Sequence, residues 1–162
     1  SGMSADEMNE EAQEAATVEY VTVLIGGQLF GLPINRVQDV FMPETITQVP
    51  LSPPEIAGVL NLRGRIVTVI DMRRRLRLPR ADDAGQPMAV GIEYKGESYG
   101  LLIDQVGEVL RLPVDGLEKN PGNLDRRWAM VSGGVQRLDG RLLVVLDVDQ
   151  VLEMGSEPAV AA

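Results

Sequence analysis

The sequence contains no cysteine and no histidine among its 162 residues. Their absence excludes disulfides, thiolate nucleophiles, Cys/His zinc sites and imidazole bases, including a Ser-His-Asp triad. Lysine occurs twice, aromatic residues make up 4% of the chain, and the carboxylates show no spacing typical of a catalytic pair. No phosphate-binding glycine loop followed by lysine is present either. We therefore expect a binding module rather than an enzyme, with no cofactor and no metal.

Negative charge is concentrated at the N-terminus. The formal net charge is −9, and residues 1–19 contain six acids and no base, which leaves −3 for the rest. Residues 1–17 are predicted to form an acidic disordered tail, and residues 154–162 a second, C-terminal tail. No apolar run approaches the roughly 20 residues of a membrane span, and no secretory signal pattern opens the chain. These features predict a cytoplasmic protein.

The chain repeats itself. Segment 27–40 matches segment 96–109 at six of fourteen positions, and segment 58–71 matches segment 134–147 at seven of fourteen. Since the order of the matches is preserved, we expect two copies of one module. Turn-forming residues between 80 and 86 predict the boundary, with one subdomain over about 18–80 and the other over about 86–153.

Each copy predicts the same series of elements. Apolar, β-branched runs before glycine turns predict strands over 20–25 and 88–94, and later runs predict two strand pairs, 57–62 with 65–70 and 134–138 with 141–146. Spacing of i, i+3 and i+7 predicts one face of a short helix in each copy; the residues are Ile34, Val37 and Phe41, and Ile103, Val106 and Leu110. We interpret Asp71 and Asp147 as helix caps.

Five short strands per copy predict an all-β fold with short helices, built from two small five-stranded β-barrels packed together, because closure removes exposed strand edges. The two copies differ at the turn of their last hairpin, which is Arg63-Gly64 in the first and Asp139-Gly140 in the second. Arginine would be strained by about 1 kcal/mol in a turn that requires positive φ. The alternatives for Arg63 are a contact with a partner and a solvated turn residue without a role.

The sequence resembles the CheW family of bacterial chemotaxis coupling proteins. The resemblance is carried by Gly58-Val-Leu-Asn-Leu-Arg-Gly64 with Ile66-Val-Thr-Val-Ile-Asp-Met-Arg73, and is supported by segments 30–40, 99–109 and 144–148. It covers about residues 18–153. It implies two SH3-like β-barrel subdomains and a non-enzymatic adaptor, monomeric alone, that joins methyl-accepting chemoreceptors to the regulatory domain of the CheA histidine kinase. It also implies a cytoplasmic protein recruited to membrane-associated receptor arrays.

The resemblance further implies which residues contact each partner. Receptor contacts are expected in a groove between the barrels, where apolar walls would accept a helical hairpin and two charges would set its register; the residues are Val37, Asp39, Gly58, Arg63, Val90 and Gly100. Asp39 stands where the family usually has glutamate. Kinase contacts are expected at Ile46, Val49 and Leu117, although each could instead cover its own barrel.

Other functions stay open from the sequence. The pathway could control flagella, twitching motility or a developmental output. The arginines Arg73, Arg74, Arg75, Arg77 and Arg80 could indicate a nucleic-acid-binding barrel, but the chain is acidic and Trp128 is the only tryptophan. We therefore interpret the cluster as a solvated helix face and Trp128 as a core or lid residue, and expect no nucleic acid as partner.

Overall fold

The computed structural model describes residues 16–79 and 85–153, together with residues 2, 4 and 5. Most of the predicted acidic tail, the predicted C-terminal tail and residues 80–84 of the predicted boundary lie outside the described residues. The described chain is built from short strands punctuated by helices of four or five residues. This confirms the predicted fold class.

Eleven strands are present in the described chain: β1 (Thr17–Ile25), β2 (Gln28–Pro33), β3 (Val37–Phe41), β4 (Ile56–Leu62), β5 (Arg65–Asp71), β6 (Met88–Tyr94), β7 (Glu97–Ile103), β8 (Gln105–Pro113), β9 (Leu117–Glu118), β10 (Ser132–Leu138) and β11 (Arg141–Leu146). The three short α-helices are α1 (Met72–Arg75), α2 (Arg126–Ala129) and α3 (Val148–Leu152). Single 3-10 turns occupy Ile34–Arg36 and Val114–Gly116.

The strands form two sheets of matching topology. Sheet A has the order β8-β1-β2-β11-β10-β9, and sheet B has the order β3-β6-β7-β5-β4. Each strand of sheet B occupies the position that its repeat in the other copy occupies in sheet A. Each sheet also contains one parallel pair, which is β2 with β11 in sheet A and β5 with β7 in sheet B. The bridge between Thr47 and Val59 stands where β9 pairs with β10. The duplication read from the sequence is therefore a duplication of structure.

The two copies exchange their first hairpins. Hairpin β1–β2 of the first copy lies in sheet A with the strands of the second copy, and hairpin β6–β7 of the second copy lies in sheet B with those of the first. The prediction that residues 18–80 and 86–153 form separate subdomains is therefore wrong. Because the copies are alike, either hairpin could satisfy either sheet, and the repeat could not show which pairing forms.

The helical spacing was misleading in both copies. Only Ile34–Arg36 turns as a 3-10 helix, while Val37 and Phe41 lie in β3, which pairs with β6. In the second copy, Val106 and Leu110 lie in β8. The pairing register of β3 shifts between Val37 and Asp39, which indicates a β-bulge. A bulge interrupts the regular alternation of side chains between the two faces of a strand, so that inward-facing residues no longer lie two positions apart.

The two predicted caps are confirmed. The Asp71 side chain accepts hydrogen bonds from the amides of Arg73 and Arg74 at the start of α1. Asp147 accepts in the same way from Asp149 and Gln150 at the start of α3. Each cap satisfies amides that have no partner within the first helical turn. Both hairpins that end the repeats therefore lead into a helix of defined start.

The core consists of three clusters. The largest draws buried residues from both sheets, such as Phe30 of sheet A and Ile92 of sheet B, and holds the sheets together. Trp128 belongs to it and meets the ring of Phe30 edge-on at 5.4 Å, which confirms the predicted core position. Two smaller clusters belong to one sheet each, around Leu143 in sheet A and around Val69 in sheet B.

Candidate functional site

The Arg63 turn joins β4 to β5 at an exposed tip. Arg63 has φ of +53° and Gly64 has φ of +84°, which are the values of a two-residue hairpin turn that favours asparagine and glycine. The Asn61 side-chain oxygen accepts a hydrogen bond of 2.8 Å from the Gly64 amide and holds the turn in place. In the second copy Gly140 has positive φ, but Asp139 does not. The two turns therefore differ in type, and the strained arginine is particular to the first.

The Arg63 guanidinium has no ion-pair partner among residues 16–79 and 85–153. Its side chain is exposed, and within those ranges it makes no contact that compensates for the backbone strain, although the Asn61–Gly64 hydrogen bond stabilises the turn itself. Strain held at an exposed tip with an available charge is a feature of binding sites. Lys95 at the β6–β7 turn has the same conformation, so the surroundings of Arg63, and not its φ alone, decide between a contact role and a turn residue without one.

An open cleft of about 490 Å³ lies beside this turn. Phe41 and Met42 at the end of β3 line one part of it, and Leu60, Asn61 and Leu62 of β4 line another. Although β3 and β4 are the two edges of sheet B, the curl of the sheet brings their ends to the same cleft. Glu44, Thr45 and Thr47 complete the lining, so the cleft beside the Arg63 turn offers both apolar and polar surface.

Asp39 lies on β3 against a floor of two glycines. Gly91 and Gly100 are register partners in β6 and β7, and the Asp39 carboxylate occupies the space that a Cβ at Gly91 would need. The Phe41 ring covers Gly100 in the same way. Within the part of the chain that the structure describes, no cation or hydrogen-bond donor pairs with the Asp39 side chain. The carboxylate is therefore held in position and available.

The structure does not bring all six predicted receptor residues to one surface. Val90 is 0% exposed and belongs to the cluster that joins the sheets, so its side chain cannot contact a partner. Gly58 and Gly100 are buried, and Val37 is half-buried against the same cluster. The expected groove between the barrels is filled by apolar side chains because the sheets need that contact to stay together. Asp39 and Arg63 are the two members with available charged groups.

The backbone at position 58 requires a glycine for structural reasons. It sits at a bulge of β4 with φ of +148°, and a Cβ there would meet the Thr47 carbonyl and the Ile46 side chain. Gly134 repeats the arrangement in β10, with φ of +136° and the Glu118 carbonyl above it. The glycine therefore allows the connecting segment to approach the hairpin in each copy.

The predicted kinase residues fall into two groups. Ile46 is half-buried against the Leu60, Val67 and Val69 cluster, where it covers its own sheet. Val49 is 40% exposed and Leu117 is 43% exposed. The Leu117 side chain also lies over Gly134, so part of it covers sheet A. Val49 has the least internal role of the three.

Two members of the arginine cluster are engaged inside the molecule. Arg73 donates two hydrogen bonds to Asp104, from Nε at 2.8 Å and from Nη2 at 2.6 Å, and Arg75 donates to the carbonyls of Gln150 and Val151. The interpretation as a solvated helix face is therefore wrong for these two residues. They tie α1 to the start of β8 and to α3. Arg74 and Arg77 are exposed, as a solvated face predicts, and Arg80 lies outside the described residues. With Arg73 and Arg75 bonded internally, the cluster gives little basic surface to a nucleic acid.

Asp104 is at the centre of the contact with Arg73. Burial raises the pKa of its carboxyl, but the hydrogen bonds from Arg73 and from the Gly26 amide outweigh that effect, so that the pKa lies below its ordinary value. The hydrogen bond to Asp104 likewise raises the pKa of Arg73. The bond from Gly26 extends the tie to the β1–β2 turn of sheet A.

Sequence reasoning missed Asn61 and the Arg73–Asp104 pair. Asn61 could have been found, since the second copy has Arg137 at the equivalent position, and a difference between copies is what singled out Arg63. Asp104 lies 31 residues from Arg73, and no periodicity links them. In the described ranges no three Asp or Glu side chains are placed to hold a metal ion, and no helix has the length and apolar character to cross a bilayer.

Comparison with known proteins identifies the family. The family model described as the CheW-like domain matches residues 19–156. The chain belongs to the CheW family. The CheW of Thermotoga maritima is 30% identical over 135 residues, which cover 83% of this chain and 87% of that protein. The crystal structure of the scaffolding protein TtCheW from Thermoanaerobacter tengcongensis has a TM-score of 0.77 at 25% identity, and the match covers 86% of this chain and 90% of that one.

A second chemotaxis protein contains a segment similar to this chain. The chain is 26% identical over 147 residues to the chemotaxis protein CheA of Salmonella typhimurium, which covers 90% of this chain and 21% of CheA. The match to the CheW structure extends over both sheets, and the two SH3-like subdomains implied by the resemblance are confirmed as the fold. Through its membership of the CheW family, the chain is a chemotaxis protein.

Proposed function

We propose that this protein is a non-enzymatic adaptor that couples methyl-accepting chemoreceptors to a CheA-type histidine kinase. The observation that carries the proposal is the Arg63 turn, where a strained and exposed arginine, unpaired among the described residues, stands beside a cleft partly lined by apolar side chains. The membership of the CheW family and the similarity to a segment of CheA support it. In this role the protein acts in the cytoplasm at receptor arrays through its surfaces, without a cofactor or metal.

The receptor contact combines one apolar and one charged feature. The cleft lined by Phe41, Met42 and Leu60 offers apolar surface to a helical hairpin, and Arg63 offers a cation to an acidic side chain of that hairpin. Burying apolar area supplies most of the affinity, while the charge sets register and orientation. Asp39, held over Gly91 on β3, offers a second charge of opposite sign.

The kinase contact uses residues that do not line the cleft beside Arg63. Val49 and Leu117 lie in or near the segments that connect the strands, and both expose apolar surface. CheA contains a segment similar to this chain, so two modules of related fold would meet. Related modules that meet through unlike surfaces can close into rings when the rotation permits. This predicts that the two partners bind at the same time.

The proposal is tested by calorimetric titration with the regulatory domain of the cognate CheA and with a receptor-tip fragment. Arg63→Asp should fold with an unchanged or slightly higher thermal transition, since aspartate tolerates positive φ better than arginine does, and should bind the receptor fragment at least about tenfold more weakly. The matched control is Lys95→Asp. Lys95 is also an exposed cation at a turn with positive φ, +51°, but it joins β6 to β7.

The outcomes separate the possible roles. Binding of both partners, with loss of the receptor contact in Arg63→Asp but not in Lys95→Asp, supports coupling. An equal effect of the two substitutions would show that only net charge matters and would reject the Arg63 site. A folded protein that binds neither partner would overturn the function. Receptor fragments from motility and developmental pathways, used in the same titration, distinguish the pathways that the sequence left open.

A further inference from the structure

The connection between β3 and β4 contains a turn with an unusual residue at its apex. The Val49 carbonyl accepts hydrogen bonds from the Ser52 amide at 3.3 Å and from the Ser52 hydroxyl at 2.8 Å, which closes a four-residue turn. Pro50 occupies the second position and Leu51 the third, with φ of +64°. A turn with proline second and positive φ third favours glycine or asparagine in the third position.

Leu51 combines two unfavourable features. Its backbone lies in the left-handed region, and its side chain is 104% exposed, so it makes no internal apolar contact. The other non-glycine residues with positive φ in the described ranges are Arg63, Arg77 and Lys95, and all three are cations suited to water. A γ-branched apolar side chain at such a position contributes no stabilising contact to the fold. Its gain must come from a contact outside it.

The turn presents the leucine as a rigid projection. Pro50, Pro53 and Pro54 restrict the backbone on both sides of Leu51, and the Ile56 amide donates to the Pro53 carbonyl at 3.0 Å. The Thr47–Val59 bridge anchors the N-terminal end of the loop to β4. A projection ordered before binding loses little conformational entropy in a complex. Val49, 40% exposed, widens the apolar surface of the turn.

We propose that Leu51 is the anchor residue of the kinase contact and inserts into an apolar pocket of the CheA regulatory domain. This inference rests on the proposed function and deepens it. Residues 48–54 carry no charge, whereas the candidate receptor site offers Arg63 and Asp39, so the apolar turn suits the other partner. CheA contains a segment similar to this chain, and the cleft at Phe41 and Leu60 shows that this fold forms clefts with apolar side chains in their lining and room for a leucine side chain.

The test is Leu51→Gly, measured by titration of the full chain with the CheA regulatory domain and with the receptor fragment. Glycine removes the side chain and suits the positive φ, so the variant should unfold at the same temperature as the wild type or a higher one. Its Kd for the kinase domain should rise roughly tenfold or more, as expected for a buried anchor leucine, with the receptor affinity unchanged. Lys95→Gly relieves the same backbone strain elsewhere and should alter neither affinity.

Each other outcome overturns the inference in a distinct way. If the wild type binds the kinase domain and Leu51→Gly binds it equally well, the leucine is not the anchor, although the adaptor function stands. If only the receptor affinity falls, the turn belongs to the receptor contact. If the wild type does not bind the kinase domain at all, the proposed function itself fails. Leu51→Met, which keeps an apolar side chain, should retain most of the affinity.

Discussion

Replacing Asp104 by alanine should destabilise the fold, because it removes the ion pair with Arg73 and the hydrogen bond from the Gly26 amide. Asp104 and Arg73 form two hydrogen bonds and retain only 26% and 24% side-chain exposure. Breaking a fully buried pair costs roughly 3–5 kcal/mol, and an exposed pair is worth roughly 0–1 kcal/mol. Residual solvent access at both partners screens the loss, so we expect a decrease of about 2 kcal/mol in the free energy of unfolding.

This decrease corresponds to a midpoint of thermal unfolding lower by about 4–8 °C for a protein of this size. Circular dichroism melts, with urea unfolding for the free energy, provide the measurement. Glu118→Ala is the matched control, because the Glu118–Arg137 pair has a similar distance of 3.0 Å but exposures of 47% and 64%. It should lower the free energy by about 0.5 kcal/mol or less. Equal decreases in the two variants would refute the reasoning from burial.

Two further predictions concern pH and a buried glycine. The pKa of Asp104 is lowered in the folded state, so the contribution of its carboxylate to the free energy of unfolding is complete above the ordinary pKa of 3.8 and is lost as the pH falls through the lower folded value. In urea titrations below about pH 4, the free energy of unfolding of Asp104→Asn should therefore fall less steeply than that of the wild type. Gly58→Ala adds a Cβ at positive φ against the Thr47 carbonyl and should lower the free energy of unfolding by about 2–4 kcal/mol. Gly140→Ala also adds a Cβ at positive φ, +78°, but into open space, and should lower it by about 1 kcal/mol in the same melts. A Gly58 variant as stable as the Gly140 variant would contradict the proposed close approach.

The elements of this fold were largely readable from the sequence, because most signals are local. A hairpin needs a turn and two apolar runs, and a helix start needs a side chain that accepts from the first amides, as Asp71 and Asp147 do. The strand β3 was not readable, since its bulge gave Val37 and Phe41 a helical spacing. The exchange of hairpins was hidden for a different reason. Two similar copies offer two similar pairings, and only the tertiary structure decides between them.

The candidate site was readable in part. Arg63 was found because the copies differ there, and its φ of +53° agrees with the expected strain. Val90 was carried over from the family resemblance, and its burial could not be inferred from its residue type, because valine occurs on both faces of a sheet. Leu51 gave no signal, since an isolated leucine in a proline-rich segment is ordinary until its φ and its exposure are known.

The positions of Arg63 and Leu51 connect the two proposed contacts through one strand. Arg63 follows the C-terminal end of β4, and the loop that carries Leu51 is anchored to Val59 of the same strand by reciprocal hydrogen bonds of 2.8 Å with Thr47. Gly58, between the loop and the turn, permits that anchoring because it lacks a Cβ. Any coupling of the two proposed contacts through β4 would be reciprocal, since coupling of two binding equilibria is symmetric, and titration of each partner in the presence of the other measures it. Loss of the Gly58 contact should uncouple the two sites even where each still binds its partner.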